Sequence, residues 1–197
     1  MYIKEEVNNT LIIEKSRFIA YLRPCFNEEE YKEFLKEIKK KHYDASHVCS
    51  GFISDNIKRS SDDGEPAGTA GVPILNVLEK SNLNNTACLV VRYFGGIKLG
   101  AGGLIRAYGS AVSDALKIAK LVEDVTYPKY ELSLSYDLAN KVDYLINKEA
   151  IHINKEYDEK VKYTYLSSND SLIDKIAEIT SGIKPICVGK ETVQKDV

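Results

Sequence analysis

The sequence of 197 residues has no tryptophan, no long apolar run and no large excess of charge of either sign. No apolar run approaches the roughly 20 residues that cross a bilayer, so a membrane-spanning helix is excluded. Residues 1–6 are too polar for a signal peptide. The formal net charge of −2 gives no bulk attraction to nucleic acid, so any such binding needs a local patch. These absences predict a soluble cytoplasmic protein without a membrane partner.

Cysteine is scarce and scattered, with four residues and no CxxC pair. Nothing in the spacing suggests a zinc site, so we expect reduced structural thiols and no bound metal. Cys49 lies two residues after His47, and a Cys–His pair can serve nucleophilic catalysis. Neighbours on one strand face usually diverge, however, and we expect a packed or hydrogen-bonded role for both residues.

Charge is spread evenly along the chain, and neither half is basic. Residues 1–125 carry 17 Lys and Arg against 17 Asp and Glu, and residues 126–197 carry 10 against 12. The length allows one large or two small domains. Pro128 lies at a change in pattern, and we expect one domain at 1–125 and a second at 126–197.

Hydrophobic periodicity predicts mixed α and β structure in the first domain. Two strands are expected between residues 10 and 23, and Asn27 is a suitable N-cap for a helix that three lysines close. The other expected elements of this domain are strands at 47–53 and 87–91, a helix beginning at Pro73 and a helix over 104–119.

The second domain has a clearer pattern, with the order βαββαβ that is typical of a ferredoxin-like fold. Its strands are expected at 130–136, 151–157, 161–166 and 186–193. The first helix is expected to begin at the cap Asp137. The second is expected to be capped by Asn169 or Asp170 and to end at Ser181 and Gly182. The predicted class of the whole chain is therefore α+β.

Nine of the 12 glycines lie between Gly64 and Gly109, and eight of these nine belong to two loops. The downstream loop joins a predicted strand to a helix, and exposed amides, a helix N-terminus and two arginines together favour an anion. Aromatic residues beside arginines also suit single-stranded nucleic acid, although Phe94 and Tyr108 could instead pack in the core, which we favour for Tyr108. The predicted anion or RNA site comprises Arg59, Arg92, Tyr93, Gly95, Gly96, Lys98, Gly100, Gly102, Gly103 and Arg106.

The upstream loop contributes Asp62, Asp63, Glu65, Gly68, Thr69 and Gly71 to the predicted site. The three acidic residues could act as acid, base or Mg²⁺ ligands, or they could pair with arginines and cap the following helix. Thr69 is a conceivable nucleophile, but no base is tied to it. The downstream loop fits neither GxxxxGK[ST] nor GxGxxG, so nucleotide binding by either motif is unsupported.

Two long motifs resemble the signature of the Impact/YigZ family, in its bacterial two-domain type. They read S-D-D-G-E-P-x-G-T-A-G-x-P at residues 61–73 and V-R-Y-F-G-G-x-x-L-G-x-G-G-L-x-R-A-Y at residues 91–108. The resemblance implies an N-terminal domain of the ribosomal-protein and elongation-factor-domain-IV type and a ferredoxin-like C-terminal domain. It also implies a connection with translation, because the eukaryotic relative restrains a stress-responsive translation kinase. It supplies no catalytic residues.

We therefore expect a non-enzymatic factor that binds RNA or the ribosome and modulates translation, with no cofactor. Two alternatives stay open: an enzyme acting on a phosphorylated or anionic small molecule, and a regulator that binds a protein partner. If the two loops form one site, Asp63 or Glu65 should lie within salt-bridge reach of Arg92 or Arg106.

Overall fold

The computed structural model describes residues 1–55 and 57–197. The described chain divides into two units, Met1–Glu123 with Asp196–Val197 and Asp124–Lys195. Its helices are α1 (Glu28–Lys41), α2 (Gly71–Lys80), α3 (Gly100–Leu116), α4 (Tyr136–Glu149) and α5 (Asp170–Ile179). Its strands are β1 (Tyr2–Ile3), β2 (Val7–Ile13), β3 (Ser16–Pro24), β4 (His47–Ser54), β5 (Ile57–Ser61), β6 (Thr86–Tyr93), β7 (Leu121–Leu134), β8 (Ile151–Tyr157), β9 (Val161–Leu166) and β10 (Ile186–Asp196).

The first unit is built on a five-stranded sheet in the order β2-β3-β6-β4-β5, and each neighbouring pair is antiparallel. Helices α2 and α3 pack on one face, and α1 packs on the other. Strand β6 lies at the centre and is buried along nearly its whole length. Because side chains alternate along a strand, β6 sends Cys88 and Val90 toward α2 and α3 and Leu89 and Val91 toward α1.

Helix α1 forms where the sequence predicts it. The Asn27 side chain accepts a hydrogen bond from the Glu30 backbone N–H at 2.9 Å, which satisfies one of the free donors of the first turn. Phe34 and Ile38 fall on one face and are fully buried against the sheet. Acidic residues in the first turn and lysines in the last both complement the helix dipole.

The second unit has the ferredoxin-like topology that the element order predicts. Its strands lie in the order β10-β7-β9-β8, which is fourth, first, third and second in the sequence of the unit. Helices α4 and α5 bury an apolar stripe that includes Val142, Ile146 and Ile176 against tyrosines and leucines of the sheet. The α+β prediction is therefore confirmed, and no helix in the described residues is long and apolar enough to cross a membrane.

Several element ends differ from the sequence prediction. Helix α2 begins at Gly71 and not at Pro73, and α3 spans Gly100–Leu116 and not 104–119. Glycine has low intrinsic helix propensity, which hid the first turn of α3 from a periodicity argument.

The ends also differ in the second unit. Helix α4 has Ser135 as its N-cap, with Asp137 inside the first turn. Pro128 lies within strand β7, so it does not interrupt the chain there. Helix α5 ends at Ile179, with Thr180 as the C-cap in place of Ser181 and Gly182.

Candidate functional site

Sheet register places three large side chains in one row at the end of the first unit's sheet. Arg92 on β6 is the cross-strand partner of Phe18 on β3 and of His47 on β4. All three therefore point to the face that α2 and α3 cover. The Arg92 guanidinium carbon lies 5.4 Å from the centre of the Phe18 ring and 5.5 Å from that of Phe94, so two aromatic rings flank it.

A buried ion pair joins the two glycine-rich loops. Arg92 Nη1 donates to Glu65 Oε1 at 2.6 Å, and the two side chains are only 6% and 3% exposed. Tyr108 on α3 donates its hydroxyl proton to the same oxygen at 2.8 Å. Burial raises the pKa of Tyr108 well above its usual value, so its hydroxyl remains a donor. The expectation that the two loops meet through Glu65 and an arginine is confirmed.

The two aspartates of the upstream loop hold its backbone in shape. Asp62 accepts hydrogen bonds from the backbone N–H groups of Gly68, Ala70 and Gly71 at 2.8–3.0 Å. Burial opposes ionisation of Asp62, but these three donors hold its pKa below the usual value. Asp63 accepts hydrogen bonds from Lys39 Nζ and from the backbone N–H of Val48 on β4, both at 2.7 Å. Asp62 therefore caps the start of α2, as one alternative predicted, whereas Asp63 pairs with a lysine and not with an arginine.

The candidate nucleophiles are engaged in hydrogen bonds. The Thr69 hydroxyl donates to the Pro66 carbonyl at 2.7 Å. The Cys49 thiol lies 3.0 Å from the Asp62 carbonyl oxygen, and burial raises its pKa to about 12. A fully buried thiol with such a pKa stays protonated near neutral pH, which favours the packed, hydrogen-bonded role for Cys49.

A cleft of about 400 Å³ opens beside the ion pair. Its polar walls carry Arg92, Glu65, His47 and Lys98, and its apolar walls include Phe94, 49% exposed. The remaining lining residues are Pro66, Leu99, Gly100, Ala101 and Leu104. This volume lies in the range of small-molecule sites.

The amino end of α3 contributes backbone donors to this cleft. Gly100 and Ala101 line it, and the N-cap Leu99 has no side chain that could accept a hydrogen bond. The first N–H groups of an α-helix have no partner within the helix, and they carry a partial positive charge. Lys98 and Arg106 are exposed here, and neither forms an ion pair within residues 1–55 and 57–197. Arg106 lines a neighbouring hollow of about 430 Å³ that shares Lys98 with the cleft.

Three predicted contact residues need correction. Arg92 is buried and paired with Glu65, so it is not a free phosphate ligand. Tyr93 follows Arg92 on the strand and therefore faces α1, where its hydroxyl lies 2.8 Å from His42 Nδ1. Arg59 on β5 pairs with Glu28 of the α1 region at 2.7 Å and does not line the cleft. Phe94, not Tyr93, is the aromatic residue beside the candidate site.

The glycines of the downstream loop have separate structural roles. Gly95 lies against the Lys15–Ser16 backbone, where a Cβ would overlap the Lys15 carbonyl. Gly96 has a positive φ of 85°, and any Cβ there would enter open space. Gly102 and Gly103 are part of the first turns of α3. These glycines permit the shape of the loop, and only Gly100 lines the cleft.

His47, which the sequence offered only as a neighbour of Cys49, lines the cleft. Its Nδ1 lies 2.8 Å from the Asp63 carbonyl oxygen, and a carbonyl can only accept. In the neutral ring Nδ1 therefore carries the proton, and Nε2 is left as an acceptor in the cleft. Alternation along the strand placed His47 on the same face as Cys49, but no sequence signal pairs it with Arg92. No group of three or more His, Cys, Asp and Glu in the described residues could hold a metal ion.

Comparison with known proteins gives concordant matches. Residues 14–116 match the family model of the Impact N-terminal domain. The chain is 41% identical over 198 residues to IMPACT family member YvyE of Bacillus subtilis (strain 168), covering 96% of this chain and 91% of that protein. It is 37% identical over 151 residues to IMPACT family member YigZ of Escherichia coli (strain K12), covering 74% of each. A solved crystal structure of a hypothetical protein has 30% identity and a TM-score of 0.61, covering 95% of this chain and 96% of that one.

Proposed function

The chain belongs to the Impact family, and from that premise we propose that it is a non-enzymatic cytoplasmic factor that binds RNA or the ribosome and modulates translation. The observation that carries the proposal is the pair of exposed, unpaired cations beside the amino end of α3. Lys98 and Arg106 have no acidic partner among the described residues, so their charge is available to a phosphate backbone. The translation-factor type of domain that the motifs resemble supports the same role.

The side chains and backbone around the cleft favour RNA binding, whereas the net charge of −2 does not. Helix N-termini bind phosphate through backbone N–H groups, and α3 presents such an end to the cleft. Phe94 is half exposed next to it and offers a face on which an unpaired base can stack. Phosphate contacts and stacking together are the usual means of holding single-stranded RNA.

Co-sedimentation with ribosomes and separated subunits, at low and moderate salt, tests this proposal. We expect salt-sensitive binding that the double variant Lys98→Glu/Arg106→Glu loses, because each reversed charge removes a counterion-releasing contact. The matched control is Lys36→Glu/Lys40→Glu, which makes the same charge change on exposed positions of α1, across the sheet. Equal losses in both variants would contradict a specific site, and absence of binding at every salt concentration would overturn the proposal.

A second candidate, a regulator that binds a protein partner, has one observation in its favour. Phe94, Ile97 and Ile105 are 39–49% exposed near the same loop and helix. Exposed apolar side chains grouped on one surface often mark a protein interface. Affinity capture after nuclease treatment distinguishes the two candidates. A partner that is retained without ribosomal RNA, and lost on Ile97→Lys/Ile105→Lys, would favour the protein-binding role.

A further inference from the structure

One carboxylate oxygen of the buried ion pair has no hydrogen-bond donor. Glu65 Oε1 accepts from both Arg92 and Tyr108, but Oε2 accepts from no group among residues 1–55 and 57–197. The side chain is only 3% exposed, and Glu65 lines the cleft. The buried side-chain atoms that lack a partner in the described residues do not include Oε2, so this oxygen reaches the cleft and can accept a hydrogen bond from a ligand there.

A second open acceptor lies beside the first. His47 Nε2 is 3.8 Å from Glu65 Oε2, and in the neutral ring the hydrogen bond from Nδ1 to the Asp63 carbonyl leaves the lone pair on Nε2. In the neutral ring, neither Glu65 Oε2 nor His47 Nε2 has a hydrogen to donate to the other. The cleft therefore presents two adjacent acceptors that suit a ligand with two adjacent donors.

Two hydroxyls on neighbouring carbons are such a pair of donors. The cis-diol of ribose places both hydroxyls on one edge of the sugar, and a carboxylate is a common partner for ribose hydroxyls. Other walls of the cleft suit the remainder of a nucleotide, with Phe94 for the base and the α3 amino end with Lys98 for a phosphate. The volume of about 400 Å³ lies within the range of small-ligand sites.

Within an RNA strand, each internal ribose has a free 2′-hydroxyl, but its 3′-oxygen is esterified. Only the nucleotide at the 3′ end has both hydroxyls free. We infer that the cleft binds the 3′-terminal nucleotide of an RNA, with Glu65 Oε2 and His47 Nε2 accepting from its 2′,3′-diol. This inference rests on the proposed RNA-binding function, and it makes the chain a reader of RNA ends.

Fluorescence anisotropy with short 5′-labelled RNA oligonucleotides of one sequence tests the inference. The oligonucleotides end in a free diol, a 2′-deoxy nucleotide or a 3′-phosphate. We expect the diol end to bind at least about tenfold more tightly than either altered end, since each altered end lacks one of the two hydroxyl donors. His47→Ala should abolish this preference, and His152→Ala in the second unit should preserve it.

The outcomes separate this inference from the proposed function. Equal, salt-sensitive affinity for all three ends would overturn end recognition while RNA binding stands. Absence of binding to every oligonucleotide would overturn both. The comparison of oligonucleotides uses the unaltered protein, so it decides the question even if His47→Ala fails to fold.

Discussion

Arg92 and Glu65 lie 27 positions apart in the sequence and form a buried ion pair with a 2.6 Å contact between Nη1 and Oε1. The pair links the central strand of the first unit to the upstream glycine-rich loop. It leaves Arg92 Nε buried without a hydrogen-bond partner among the described residues. This buried ion pair stabilises the arrangement in which the two loops are in contact, because either charge would be poorly solvated there without the other.

Loss of one member of this pair should destabilise the protein strongly. We expect Arg92→Leu to lower the free energy of unfolding by about 3–5 kcal/mol, because it leaves Glu65 as an uncompensated buried charge. The double variant Arg92→Leu/Glu65→Leu should lose less than the sum of the two single variants. Urea unfolding of the four proteins measures both effects. Additive losses would contradict a coupled pair.

Two glycines of the downstream loop should respond to alanine in opposite ways. A methyl group at Gly95 would overlap the Lys15 carbonyl, so Gly95→Ala should cost about 1–3 kcal/mol. Gly102 lies in helix α3, where a Cβ would meet only the end of the Arg106 side chain at 3.6 Å. Gly102→Ala should stabilise the protein by about 0.4–1 kcal/mol, because alanine favours helix and restricts the unfolded chain. Thermal unfolding of both variants gives the comparison, and a shift in the same direction for both would show that the loop contacts are misassigned.

Acid should remove the contribution of Asp62 to stability. Since the folded protein holds the pKa of Asp62 below its usual value, its contribution is present above the unfolded pKa of about 3.9 and is lost as pH falls through the lower, folded value. Asp62→Asn should cost about 1 kcal/mol at neutral pH, by analogy with loss of a helix cap. The difference in unfolding free energy between the two proteins should shrink below about pH 4. A difference that stays constant down to pH 2 would be inconsistent with this role.

Only one of the four thiols should react quickly in the folded protein. Cys25, Cys49 and Cys88 are buried, and burial raises the pKa of both Cys25 and Cys49 to about 12. Cys187 is exposed. Because the thiolate is the reactive form, Ellman's reagent at pH 8 should modify Cys187 alone, and Cys187→Ser should abolish the fast phase. Rapid modification of Cys49 would contradict its packed position.

The local elements of this chain were predictable because each depends on nearby residues. Asn27 and the acidic residues after it specify the start of α1. Alternation from Tyr130 onward predicts the part of β7 that pairs with β9, although the strand itself begins at Leu121. The start of α3 was not predictable in this way. Its glycines have low helix propensity, and packing of Leu104 and Tyr108 in the core stabilises a helix that the local sequence leaves undecided.

The candidate site, too, was predictable only in part. Sequence reasoning identified the two loops and predicted contact between an acidic residue and an arginine. It assigned Tyr93 to the same site as Arg92, although alternation along one strand already sends the two side chains to opposite faces. It could not place His47 beside Arg92, because the register between β4 and β6 is set by hydrogen bonds and packing across strands far apart in the sequence.

The sequence by itself determined where the backbone turns, which residues alternate toward the core and which two motifs mark the family. Those properties follow from the conformational freedom of glycine and from the periods of helix and strand. Only the tertiary structure decided that Glu65 uses one oxygen for Arg92 and Tyr108 and leaves the other facing His47. That outcome depends on three strands, a loop and a helix meeting at one point, and no local pattern of residues encodes such a meeting.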